Sequence, residues 1–141
     1  MAMKFDNILV PITDNIEGEH SFKLACVLAK PNKSTVHALY VIEVSLDLPL
    51  DAEMDSSHGE SILQRIEAIG NKEKCKTRAQ FIQARHAGPA IIQEALTLQT
   101  DLIVVGSSLN TRHDNNLFGS TPFYILKNSP CPVILWNENN K

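Results

Sequence analysis

The chain has 141 residues, 43% of them hydrophobic, and a formal charge of −3 at pH 7, which suits one globular domain over 1–141 with a single core. This mild acidity excludes polyanion binding through a general basic field, so no nucleic-acid partner is expected and any anion has to be held locally. No run approaches the roughly 18 apolar residues that span a bilayer, and "MAMKFDNILVPI" lacks a basic region, an apolar signal core and a small-residue cleavage site, so the expectation is a cytoplasmic protein without membrane insertion.

"FDNILVPIT", Phe5–Thr13, reads as a short strand ending at Pro11. "EGEHSFKLACVLAK" then sets Phe22, Leu24, Ala25, Leu28 and Ala29 at the spacing of an amphipathic helix, which Pro31 stops. "STVHALYVIEV" is a second strand, and the acidic, proline-bearing "SLDLPLDAEMDSSHGE" a loop. From Ser61, "SILQRIEAIGNKEKCK" puts Ile62, Leu63, Ile66 and Ile69 on one helical face, with Gly70 as its stop or fray point. "TRAQFIQARHA" alternates more strongly and predicts a third strand at an edge of the sheet.

Gly88-Pro89 opens "PAIIQEALTLQ", a helix with Ile91, Ile92, Ala95 and Leu96 as its apolar stripe. "DLIVVG" is the fourth and most uniformly apolar strand; "TPFYILKNS" is a short last helix, and "CPVILW" a fifth strand. Strands alternating with helices predict a three-layer α/β sandwich, a five-stranded mainly parallel sheet covered on both faces by right-handed crossovers. Ligands of such sheets gather beyond the carboxyl ends of the strands, where the strand order reverses. The polar loop in "DLIVVGSSLNTRHDNNLFGST" leaves the fourth strand at that place.

Cys26, Cys75 and Cys131 are odd in number and form no C-x-x-C pair, as expected of reduced thiols. Cys26 and Cys131 read as small core residues. Cys75, in "NKEKCKTR", reads as exposed, either a reactive thiol or, more commonly for such a position, an incidental one. His20, His37, His58, His86 and His113 show no metal-ligand spacing, so no metal site is expected.

Three mechanisms compete for the loop after the fourth strand. Gly106-Ser107-Ser108-Leu109-Asn110 half-matches the nucleophile elbow G-x-S-x-G, but Asn110 stands where the second glycine belongs, and His113 and Asp114 follow within the same loop. No catalytic residue is assigned on that basis. Neither G-x-x-x-x-G-K-[ST] nor G-x-G-x-x-G occurs. The third is a local anion site: Gly106 lets backbone approach a ligand, and Gly119, Ser120 and Thr121 offer a glycine, two hydroxyls and the amides of a helix start. The plain alternative is that Ser120 or Thr121 only caps the last helix.

Together, "NILVPIT", "HALYVIEV", "ARHAGPAIIQEA", "DLIVVGSS", "FGST" and "CPVILW", in that order over nearly the whole chain, resemble a universal stress protein of the UspA type. The resemblance implies an adenine-nucleotide α-hydrolase-like fold with strand order 3-2-1-4-5, commonly dimeric; it does not imply an enzyme of defined turnover, at most very slow ATP hydrolysis. Nucleotide-binding members carry G-x2-G-x9-G-[ST] after the fourth strand. Here Gly106 and Gly119-Ser120 keep that spacing, but Leu109 replaces the second glycine, and its side chain restricts backbone angles and close approach. Binders usually carry an aspartate where Thr13 stands, with Asp14 next to it, and Pro122 removes a donor from the first turn of the last helix. Arg112 and His113 are either phosphate contacts, Arg112 by a bidentate pair, or solvated loop residues.

Two functions follow from the resemblance. In one, a cleft walled by Pro11, Ile12, Thr13, Asp14, Val41, Gly106, Ser107, Gly119, Ser120 and Thr121 holds ATP (with Mg) or AMP, at reduced affinity. In the other, the chain binds no nucleotide and acts as a stress-response interaction protein with unknown protein clients. Either form is expected to be a homodimer through Pro132, Val133, Ile134, Leu135 and Trp136, because an apolar edge strand leaves backbone groups unpaired unless it is covered.

Overall fold

A computed structural model describes residues 4–13, 16–108 and 120–138. Strands and helices alternate as β1 (Asn7–Ile12), α1 (Ile16–Ala29), β2 (Thr35–Glu43), α2 (Ser57–Lys72), β3 (Lys76–Ala84), α3 (Ala87–Thr97), β4 (Leu102–Ser108), α4 (Ser120–Asn128) and β5 (Val133–Glu138). All neighbouring strands pair in parallel, in the order β3-β2-β1-β4-β5. This is the strand order that the resemblance implies, with β3 at one edge and β5 at the other.

Alternation along the central strands divides the core into two layers. Ile8, Val10, Val36, Ala38, Leu102 and Val104 point to one face, where Phe22, Ala25 and Cys26 of α1 and Leu63 and Ile66 of α2 cover them. Leu9, Leu39, Ile103 and Val105 point to the other, against Ile91 and Ala95 of α3 and Ile125 of α4. Ile8, Leu9, Ile103 and Phe22 are wholly buried, each contributing about 1.5–3 kcal/mol relative to an exposed side chain. Because β1 and β4 are covered on both faces, they are apolar at successive positions. The Asp101 carboxylate, accepting from the Asp6 and Asn7 amides at 2.8 and 3.1 Å, joins the amino ends of these two strands.

Several local expectations are corrected. β1 does not end at Pro11 but continues to Ile12, paired with Tyr40 of β2. α2 starts at Ser57, one turn before Ser61: Asp55 accepts from the Ser57 amide at 3.0 Å, and the Ser56 hydroxyl meets Glu60 at 3.1 Å. Gly70 does not stop α2, which runs on to Lys72. A Cβ at Gly70 would lie 2.1 Å from Thr77 Oγ1, so glycine there lets the helix lie close on β3. α4 includes Ser120 as its first residue. Cys75 is half-buried rather than fully exposed, packed against the core layer that holds Cys26, and Cys131 is half-buried rather than a core residue. No helix among the described residues is long and apolar enough to cross a membrane.

Candidate functional site

Pro11 makes the cleft. Thr35 N–H donates to the Asp6 carbonyl at 2.9 Å, so with strand alternation Ile8, Val10 and Ile12 turn their peptide groups to β2 while Leu9 and Pro11 turn theirs to β4. Pro11 has no N–H to continue the β4 ladder, and registered pairing with β4 stops at Leu9–Ile103 although pairing with β2 continues to Ile12–Tyr40. The strands part at the point where their order reverses, and a cavity of about 350 Å3 opens at their carboxyl ends. Its size lies within the roughly 300–1,000 Å3 of small-molecule sites.

Six of the expected site residues meet there: Pro11, Ile12 and Thr13 from the end of β1, Val41 from β2, Gly106 from β4 and Thr121 from α4. Ser107 does not line the cavity; it is buried, 3% exposed. Asp14, Leu109, Arg112, His113 and Gly119 lie outside the described residues, as does the side chain of Ser120. Gly106 also has a packing role. It lines the cavity, but a Cβ there would sit 2.6 Å from the Glu17 carbonyl oxygen, so its bareness is needed for α1 to pack on β4.

Sequence reading missed Leu39, Tyr40, Glu43, Ala87, Ile91 and Val105, all of which line the cleft. A period-two count from Val41 along β2 reaches Leu39 and Glu43, so the signal was present. The Glu43 carboxylate accepts the Ala87 amide at 3.0 Å and thereby occupies the N-terminus of α3. The start of α4, with Thr121 and Pro122, and the first turn of α1, with Gly18, also reach the cavity wall, and helix starts favour anions, although Pro122 has no N–H to offer. A second cavity of about 260 Å3 shares Glu43, Ala87 and Thr121 with the first and extends over His86, Gly88 and Tyr124.

The lining therefore combines an apolar slot, formed by Ile12, Leu39, Val41, Ile91 and Val105, with Thr13, Glu43 and Thr121 as polar groups. Such a slot accepts a flat apolar ring, and a carboxylate and hydroxyls suit sugar hydroxyls. Among the described residues no group of three or more His, Cys, Asp or Glu side chains is placed to hold a metal ion.

The family model described as the universal stress protein family matches residues 4–136. A universal stress protein of Methanocaldococcus jannaschii is 25% identical over 145 residues, covering 97% of this chain and 85% of that protein. The crystal structure of a universal stress protein in complex with cAMP superposes with a TM-score of 0.77 at 13% identity, covering 95% of this chain and 98% of that one. The universal stress protein of Archaeoglobus fulgidus in complex with dAMP superposes with a TM-score of 0.74 at 18% identity, covering 94% and 98%. At these identities the structural likeness establishes a shared fold.

Proposed function

The chain belongs to the universal stress protein family, and from that premise we propose that it is a cytoplasmic stress-response protein that holds an adenine mononucleotide in the cleft between β1 and β4. The observation that carries this reading is the cavity itself, an apolar slot with polar groups at the carboxyl ends of the two parted strands. Structural relatives hold cAMP and dAMP, both adenine monophosphates. Adenine fits between Ile12, Val41 and Val105, the ribose faces Glu43 and Thr13, and the phosphate reaches toward α4.

ATP with magnesium binds poorly in this proposal. Leu109 stands in place of a glycine and Thr13 in place of an aspartate, Pro122 offers no amide, and Glu43 sets a carboxylate beside the path of a polyanion. Losing a hydrogen bond to a charged group costs about 1.5–3 kcal/mol, so two such losses weaken binding by roughly two to four powers of ten. The nucleotide state is passed to protein clients through a homodimer formed along β5.

Titration calorimetry with AMP and with ATP plus magnesium tests the assignment. Saturable AMP binding with ATP clearly weaker is the expected result, and Thr13→Asp combined with Leu109→Gly should strengthen ATP binding. Submicromolar ATP binding by the native chain would overturn the weakened triphosphate site. Absence of heat with either nucleotide, even at millimolar concentration, would instead establish the interaction protein without nucleotide. Gly106, which the packing of α1 requires whether or not a ligand binds, is compatible with that second reading as with the first.

A further inference from the structure

At the opposite, amino-terminal end of the sheet, a cavity of about 460 Å3 is lined by Cys26, Ala29, Ser34 and Cys75 together with Lys30, Lys33, Lys74 and Lys76. The fold brings together two cysteines 49 positions apart: Cys26 projects from α1, and Cys75 occupies the turn between α2 and β3. We propose that Cys75 and Cys26 are a peroxide-reactive dithiol that closes to an intramolecular disulfide in this lysine-lined cavity.

Position and accessibility assign the two roles. Cys26 is wholly buried, whereas Cys75 is half-buried beside it and opens to the cavity. Hydrogen bonding with Cys26 outweighs burial and, with Thr77 and Lys30, pulls Cys75 down to about 7. Glu73 opposes this, but it is paired with Lys30 at 3.5 Å. Cys26 is pushed up by that same hydrogen bond and by its burial. Cys75 is therefore the attacking thiolate, and Cys26 remains a protonated thiol until its partner is oxidised.

The Cys75 thiolate attacks one oxygen of hydrogen peroxide: an S–O bond forms, the O–O bond breaks, and hydroxide leaves and takes a proton to become water. Cys26 sulfur then attacks the sulfenic sulfur of Cys75. The S–S bond forms as the S–O bond breaks, and the departing hydroxide takes the Cys26 proton as a second water. In sum, two thiols and one peroxide give one disulfide and two waters, two electrons passing from sulfur to oxygen. The ammonium groups of the cavity lower the charge penalty of each departing hydroxide.

The test treats the reduced, folded protein with hydrogen peroxide, alkylates it under denaturing conditions and measures the intact mass. The expected product has lost two hydrogens, retains one alkylatable cysteine, Cys131, and yields a cross-linked peptide joining Cys26 to Cys75. Its formation rate should rise with pH to a plateau with a midpoint near 7. In Cys26→Ala, peroxide should give a Cys75 sulfenic acid trapped by dimedone, and the midpoint should move upward because the hydrogen-bonding partner is gone. Full alkylation of all three cysteines after treatment, or a disulfide that uses Cys131 or a second chain, would overturn the proposal. Since the wild-type mass carries the decision, a misfolded variant does not obscure it.

Discussion

The Glu17 carbonyl and the backbone of Gly106 touch so closely that a methyl group at 106 can be accommodated only by moving α1 away from the sheet. A side-chain neighbour could rotate aside, as the partly exposed Tyr124 ring can opposite Gly88, but a helix backbone cannot. Gly106→Ala should therefore destabilise the fold by about 1–3 kcal/mol, read as a lower urea midpoint with an unchanged slope. A midpoint equal to wild type would show that glycine at 106 serves the ligand alone. From sequence this residue was found without its second neighbour, Glu17, since helix-on-strand contact depends on a packing distance that no local pattern encodes. Glu43 was passed over for a related reason: its role comes from meeting the Ala87 amide across the cleft, 44 positions away.

Elements were legible where their apolar period was strong and illegible at their polar ends. β1 and β4 were recognisable as central because they are apolar at successive positions, whereas the first turn of α2, "SHGE", carries no apolar stripe and is held by Asp55 and Ser56. β5 illustrates a different limit. Val133, Ile134 and Leu135 all pack partly against the two core layers, so a charged substitution there would disturb the fold as much as any interface. Its backbone separates the two effects. Ile103 N–H donates to the Pro132 carbonyl at 3.0 Å, so by alternation Ile134 and Trp136 face β4 while Leu135 and Asn137 present their amides outward. Asn137 is exposed, and proline is tolerated on an outward-facing edge. Asn137→Pro is expected to convert the proposed dimer to a monomer in light scattering while leaving the circular dichroism spectrum intact. A wild-type chain that is already monomeric at micromolar concentration would remove the dimer from the account.

Across the whole molecule, two apolar layers share one sheet, and β1 belongs to both. Leu9→Ala, which empties the layer against α3 and α4, should cost about 2–5 kcal/mol. The loss should lower a single transition followed equally by far-ultraviolet circular dichroism and by Trp136, the one tryptophan of the chain, because neither layer retains its floor without the other. Two separated transitions would show that the layers unfold independently. Strand order became legible through the family likeness of whole segments; composition and period gave the layers but not which strands are neighbours. The double duty of Gly106 also bears on inheritance. In a lineage that abandoned its nucleotide, natural selection for a stable fold would still purge every other residue from position 106. Positions free of such a duty would drift first, so a surviving glycine there records descent from a common architecture, and the history of ligand use is written at its neighbours.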